Sequence, residues 1–239
     1  MIKELTKKLI KKCGYQVTRH HAGADPTTQF EHLVKSHSVD VVIDIGANSG
    51  QFYREFRGYN NRVIVISIEA LPDMVRLLQL SAKNDELWEI IGPLAIGNKA
   101  GDVSFNVAKN SVSSSTKTVL ATHTQAERDS ECIKVVSVQM ATLDEVLRGH
   151  GVAANRLALK IDVQGAEHEV LEGAQEVLNR VQVIACELSL VPLYEGQKLW
   201  KEMIVKFDDL GFELCGVHRG FSCKRTGDTL QLEGLFRRK

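Results

Sequence analysis

The chain carries no excess charge of either sign: thirty Lys and Arg balance thirty Asp and Glu over its 239 residues. It therefore lacks the global positive field that draws a protein to nucleic acid, and only a local basic patch would serve that purpose. It has no apolar run approaching the roughly 18 residues of a membrane-spanning helix. The N-terminus has no apolar core of the kind a secretory signal needs. Its five cysteines, Cys13, Cys132, Cys186, Cys215 and Cys223, include no Cys-x-x-Cys pair and are odd in number, which argues against a zinc module or a disulfide framework. Cys186 lies in an apolar run and reads as a small core residue. This usage suits a reducing, cytoplasmic setting. No internal repeat or long low-complexity tract is present.

What is present is an ordinary globular composition, 44% hydrophobic and 25% charged, long enough to bury a core without staples. Strands and helices alternate, the mark of a parallel sheet covered on both faces. Strands are expected at Val39–Ile45, Arg62–Glu69, Trp88–Ile96, Leu157–Asp162 and Val181–Leu188, with helices at Ser49–Arg57, Pro72–Lys83, Ala166–Asn179 and Gln197–Leu210. Asp102–Ala108 and Cys132–Val138 alternate and read as an added antiparallel pair. Residues 109–131 are polar and Ser/Thr-rich and read as a loop, unusually long at more than about 15 residues, which favours a functional role. Thr142 and Glu145 form a capping box that opens a short helix. Phe212–His218 and Thr229–Arg237 read as an antiparallel edge pair. Residues 1–38 form an N-terminal helical extension, and 39–239 a single domain. Within the extension, residues 2–12 spell a basic amphipathic helix, which either docks on the domain or touches an anionic membrane surface. Docking is the favoured reading.

Five constellations can carry chemistry. Asp44-Ile-Gly46-Ala-Asn48-Ser-Gly50 is a strand end, tight turn and helix start, placed where doubly wound sheets bind ligands. Its glycines permit close backbone approach, and Asp44 can accept from an ammonium group such as that on the methionine half of S-adenosylmethionine (SAM). The spacing is not the G-x-G-x-x-G of dinucleotide sites. Glu69 ends the second strand 25 residues after Asp44, where a carboxylate can accept from two ribose hydroxyls. Lys160 interrupts an apolar strand that ends at Asp162. Glu187 ends the neighbouring strand, so Asp162 and Glu187 can face each other, ligate a divalent metal such as Mg²⁺, orient a hydroxyl or act as general base. Glu167, in the first turn of a helix, suits the helix dipole. The Ser-rich loop Asn110–Ser115 offers hydroxyls to a polyol or cofactor. His20, His21 and His123 fall outside the expected elements and read as surface residues.

Read together, these blocks resemble the FkbM family of SAM-dependent methyltransferases. The likeness runs through Ile43–Phe52, Gly58–Arg62, Ser67–Glu69, Ala95–Asn98, Asn110–Ser115, Leu159–Glu167, Glu187–Gly196 and Gly211–Leu214, in order and with matching spacing. It implies an α/β, Rossmann-like class I methyltransferase fold: a mostly parallel seven-stranded sheet with helices on both faces and an added β-hairpin. It further implies O-methylation of a hydroxyl on a small molecule or glycoconjugate. A sugar is the first expectation and a polyketide or lipid the second; a non-catalytic SAM-binding protein is the reading from another class. By carry-over, Asp44, Gly46, Asn48 and Gly50 hold the methionine half of SAM, Glu69 with Ala70 the ribose, and Leu94, Ala95 and Ile96 the adenine. Asp162, Glu187 and Lys160 are the expected catalytic group. Ser113, Ser114, Ser115 and Tyr194 are the expected substrate contacts. Two positions depart from the family pattern: Ala70 stands where Pro is frequent, and Glu233 where Asp is common.

Overall fold

A computed structural model describes residues 6, 10–14, 21, 23–59 and 62–239. The basic amphipathic helix expected over 2–12 falls largely outside the described residues. The chain first alternates strictly: α1 (Pro26–Ser36), β1 (Val41–Ile45), α2 (Gln51–Arg57), β2 (Ile64–Ile68), α3 (Pro72–Ala82) and β3 (Trp88–Ile91). It then leaves for a small second sheet through β4 (Ala95–Ile96), β5 (Gly101–Ala108), α4 (Ala121–Ala126) and β6 (Cys132–Ala141). It returns through α5 (Leu143–Gly149), β7 (Leu157–Ile161), α6 (Glu167–Glu172), β8 (Val181–Ser189), α7 (Trp200–Asp209), β9 (Phe212–Arg219) and β10 (Gln231–Arg238).

Seven strands form the main sheet in the order β3-β2-β1-β7-β8-β10-β9. All neighbours from β3 to β8 pair in parallel, and β10 runs antiparallel between β8 and β9. The winding direction reverses between β1 and β7, which opens a crevice at their carboxyl ends. Helices cover both faces. Ile43, Leu159, Ile161 and Ile184 pack against α5, α6 and α7, whereas Val42, Val65, Ala158 and Val183 pack against α1, α2 and α3. The sheet is thus a mostly parallel Rossmann-like one.

Strand side chains alternate between faces, and this alternation builds a polar row. On the α1–α3 face, Val42, Val65, Ala158, Ala185 and Leu235 are buried in the apolar layer. Two residues further toward the crevice, on the same face, stand Asp44, Ser67, Lys160, Glu187 and Glu233.

α1 is integral to this layer. Pro26 opens it, Asp25 caps it by accepting from the Thr28 N–H at 2.8 Å, and Phe30 and Val34 are each 1% exposed. Each buried side chain of this size stabilises the fold by about 1.5–3 kcal/mol, so the helix is held by its apolar face.

Four expectations change. The strand expected over Trp88–Ile96 is two strands in different sheets, β3 and β4, because Pro93 has no N–H to continue the ladder. The added hairpin of β5 and β6 is joined by β4, which makes a three-stranded sheet. The helix expected over Ala166–Asn179 ends at Glu172 and resumes as a 3₁₀ turn over Val177–Arg180. Its apolar period does mark buried residues, but Gly173 presses against the Gly97 carbonyl, and the Asp144 carboxylate accepts from the N–H groups of Glu176 and Val177 at 3.0 and 2.9 Å, which starts a new turn. Finally, the 109–131 segment contains α4 and a 3₁₀ turn at Arg128–Ser130. His123 is therefore not a surface residue. It is 3% exposed and packs edge-on against Tyr194 in a small cluster with Phe221, and burial pushes its pKa down to about 4.

The contact of Gly173 with Gly97 docks the second sheet on the domain. A Cβ at Gly173 would lie 2.0 Å from the Gly97 oxygen. Gly173→Ala is expected to cost about 1–3 kcal/mol, read as a lower urea midpoint; an unchanged midpoint would show that this junction yields freely.

Candidate active site

The crevice between β1 and β7 opens into a cleft of about 200 Å³. Its floor is acidic. Asp44 is 1% exposed and accepts from Ser67 Oγ at 3.0 Å, which in turn accepts from Trp88 Nε1 at 3.0 Å. Glu69, just past β2, holds two turns at once: its oxygens accept from the N–H of Asn48 at 2.7 Å and of Leu71 at 2.8 Å. Each oxygen keeps a further lone pair. The turn after β1 is tight enough that a Cβ on Gly46, whose φ is +83°, would lie 1.9 Å from the Asp162 carbonyl oxygen. The opposite wall is apolar, formed by Leu94, Ala95, Ile96 and Phe105, with Leu94 held by its N–H to the Glu69 carbonyl at 2.8 Å.

At the inner end lies Lys160. Its ammonium stands 3.4 Å from Asp162 and 3.5 Å from Glu233. Burial pushes this ammonium down, but the carboxylates of Asp162, Glu233, Glu187 and Asp44 outweigh that and hold it well above its ordinary pKa. One cation thus faces four carboxyls. The acids show the shortfall. Burial drives Asp44 up to about 7 despite Lys160. Glu187 is driven well above the usual range by burial and by Asp162, and burial raises Glu69 and Glu233 as well. Burial also drives Glu167 up to about 7; its carboxylate accepts from the Gly165 N–H at 3.0 Å, so it braces the turn after β7.

Most of the residues singled out from sequence meet in this cleft. Asp44, Gly46, Asn48, Glu69, Ala70, Leu94, Ala95, Ile96, Ser114, Lys160 and Asp162 line it. Gly50 does not; it caps α2 with φ +86°, packed against Trp88 and Leu78. Glu187 sits behind the cleft. Gln164 Nε2 donates to Asp162 at 2.7 Å and to Glu187 at 2.9 Å, so an amide group lies between the two carboxylates expected as metal ligands. Among the described residues no group of three His, Cys, Asp or Glu side chains is arranged to hold a metal ion. This donor set does not fit a divalent cation. Tyr194 is 1% exposed and its hydroxyl reaches the Gln164 side-chain oxygen at 2.8 Å and the Ser113 carbonyl at 3.0 Å. Ser114 Oγ accepts from the Ala108 N–H at 3.0 Å, and Ser115 Oγ donates to the Gln164 carbonyl at 2.7 Å. These hydroxyls pin the loop over the cleft. In the same loop Ser111 accepts from Asn48 Nδ2 at 3.2 Å.

Several lining residues were not singled out. Phe105 occupies an inward phase of the alternating β5. Thr116 and Leu71 carry no signal of their own. Glu233 was noted only as a departure, although its phase in β10, two residues from buried Leu235, marks it as inward-facing. An acidic floor with an apolar wall suits a ligand that has cationic groups at one end and a flat aromatic group at the other.

A seven-stranded sheet of this order, with an acidic cleft at its switch point, is the architecture of a Rossmann-like methyltransferase domain. The profile of the methyltransferase FkbM domain matches residues 44–214, and the chain belongs to the FkbM methyltransferase family. No curated protein sequence matches it. Among solved structures, the chain is similar to a putative RNA methyltransferase, PH1948, from Pyrococcus horikoshii (11% identity, 89% of this chain and 81% of that one, TM-score 0.46). It is also similar to an rRNA methylase from Streptococcus thermophilus (10%, 94% and 99%, TM-score 0.45). A TehB-like SAM-dependent methyltransferase from Corynebacterium glutamicum is a third (9%, 99% and 96%, TM-score 0.42). Among the described residues no helix is long and apolar enough to cross a membrane.

Asp44 makes the ligand-free protein sensitive to pH. Its pKa is raised from 3.8 to about 7 on folding, so the folded state binds a proton more tightly than the unfolded one. The stability this contributes is complete below about pH 4 and is lost as pH rises through about 7. Asp44→Asn is expected to flatten the fall in Tm over that window relative to wild type. Identical Tm profiles for the two proteins would contradict it.

Proposed function

We propose that the chain transfers a methyl group from SAM to a hydroxyl oxygen, with a sugar or other polyol as acceptor. The observation that carries this reading is the position of Asp162. It lines the cleft, stands 3.4 Å from the Lys160 ammonium and accepts from the Gln164 amide at 2.7 Å.

When bound, SAM supplies an electrophilic methyl group on a sulfonium, which departs as a neutral thioether carrying the bonding electrons. The chain's own residues do the rest. Asp44 at the floor accepts the α-ammonium, which restores a cation to a site short of one. Glu69 accepts the ribose hydroxyls with its free lone pairs while its other lone pairs keep the Asn48 and Leu71 turns closed. Leu94, Ala95, Ile96 and Phe105 enclose the adenine. Asp162 accepts the acceptor's hydroxyl proton as the new C–O bond forms, with the Lys160 ammonium 3.4 Å away. Positioning supplies most of the rate, and proton removal contributes about 10²–10⁴-fold. Glu187, bridged by Gln164 and Gln231 at 2.9 Å each, orients Gln164 and through it Asp162. Tyr194, Ser113, Ser114 and Ser115 hold the loop that roofs the site.

Asp162→Asn is expected to lower kcat by at least about 10²-fold while changing SAM affinity much less; a variant with full turnover would remove Asp162 from proton transfer. Glu69→Ala is expected to weaken SAM binding measured by calorimetry by about 1.5–3 kcal/mol, the scale of a charge-assisted hydrogen bond; unchanged affinity would overturn the ribose assignment.

A further inference from the structure

We propose that a second cavity, bounded by α1 and the ends of β7, β8 and β10, is the acceptor subsite, and that it takes a neutral or amine-bearing polyol and rejects phosphorylated and nucleotide-linked sugars. This rests on the O-transfer reading above. The cavity has a volume of about 230 Å³. It shares Phe52, Lys160 and Asp162 with the cofactor cleft. The two spaces therefore adjoin at these three residues, and an acceptor in the second cavity reaches Asp162 where the cofactor cleft begins.

The lining is divided by polarity. Phe30 and Phe52 give one apolar side, suited to the C–H face of a sugar ring. Thr27, Glu55, Asp162 and Glu233 give hydroxyl and carboxyl groups, suited to its hydroxyl edge. The charge is uneven. Among the described residues three carboxyls face one ammonium, and that ammonium is already engaged with Asp162 at 3.4 Å and Glu233 at 3.5 Å. A phosphate would enter an excess of like charge in a confined space. The first turn of α1 also borders the cavity, and a helix N-terminus attracts anions. Here, however, two of its donors are withdrawn: Pro26 has no N–H, and the Asp25 carboxylate takes both the N–H and the hydroxyl of Thr28, at 2.8 and 2.6 Å. Among the described residues no arginine lines the space.

The test uses the full chain saturated with S-adenosylhomocysteine and ligand-observed NMR on three matched sets of probes: methyl glycosides, their amino-deoxy analogues and their phosphates. Neutral and amino probes are expected to bind, and the phosphates to bind at least about tenfold more weakly. Glu55→Lys is expected to shift this order, weakening the amino probes and strengthening the phosphates by about two- to fivefold. Thr27→Trp is expected to abolish binding of all three sets, with S-adenosylhomocysteine affinity retained as the check on folding. Phosphates that bind as well as the neutral probes would overturn the proposal, as would no binding by any set. So would affinities indifferent to Glu55→Lys. The two readings separate cleanly. Polyol binding in the expected order without methyl transfer to oxygen would defeat O-transfer and leave the cavity assigned. An O-methylated product whose yield ignores both variants would do the reverse.

Discussion

The site depends on one buried ammonium. Lys160 is 8% exposed and carries the positive charge that Asp44, Asp162, Glu187 and Glu233 share. Taking an ion out of water costs several kcal/mol, and one ion pair near 4 Å at an effective dielectric of about 20 returns about 4 kcal/mol. One cation can therefore offset the burial of one or two neighbouring carboxylates, not of four. Asp162 and Glu233 are nearest. Burial still raises the pKa values of Asp44, Glu187 and Glu233. A ligand with its own ammonium and sulfonium would complete the balance.

Two close backbone approaches place these charges. Gly46 lets the turn after β1 lie against the Asp162 carbonyl, and Gly173 lets the second sheet lie against the end of α6 through Gly97. The first brings Asp44 and Asp162 to one crevice. The second sets β4, β5 and the loop from Asn110 to Ser115 as its outer wall. Glu69 links them, since its carboxylate ties the β1 turn to the β2 turn and its carbonyl holds Leu94. The Ser-rich loop is then fastened by its own hydroxyls, which explains why Ser115 and Tyr194 face Gln164 and not the open cleft.

Much of this was legible beforehand. The strand period located β1, β2, β7 and β8, and the capping box at Thr142 and Glu145 forms as its sequence implied. Asp44, Glu69, Lys160 and Asp162 could be found because each puts a charge at or near the end of an apolar strand. Other features gave no such signal. α1 has a modest apolar face, and only its partners on β8, β9 and β10 reveal that it closes a cavity. His123 lies in a polar stretch and is buried by residues about 70 and 100 positions away, Tyr194 and Phe221. The helix after Asp162 breaks where a carbonyl from a distant turn meets Gly173, which no local pattern records.

Sequence by itself therefore determined the α/β class, the glycine turn that follows β1 and the acidic strand ends, because strand alternation and turn chemistry are local properties of a few adjacent residues. Tertiary structure alone decided which of those acids share Lys160, that an amide separates Asp162 from Glu187, and that α1 walls a second cavity beside the first. Those outcomes depend on the strand order β1-β7-β8-β10. That order sets side by side residues far apart in the chain, and electrostatic coupling acts through the distance between groups, not through their separation in sequence.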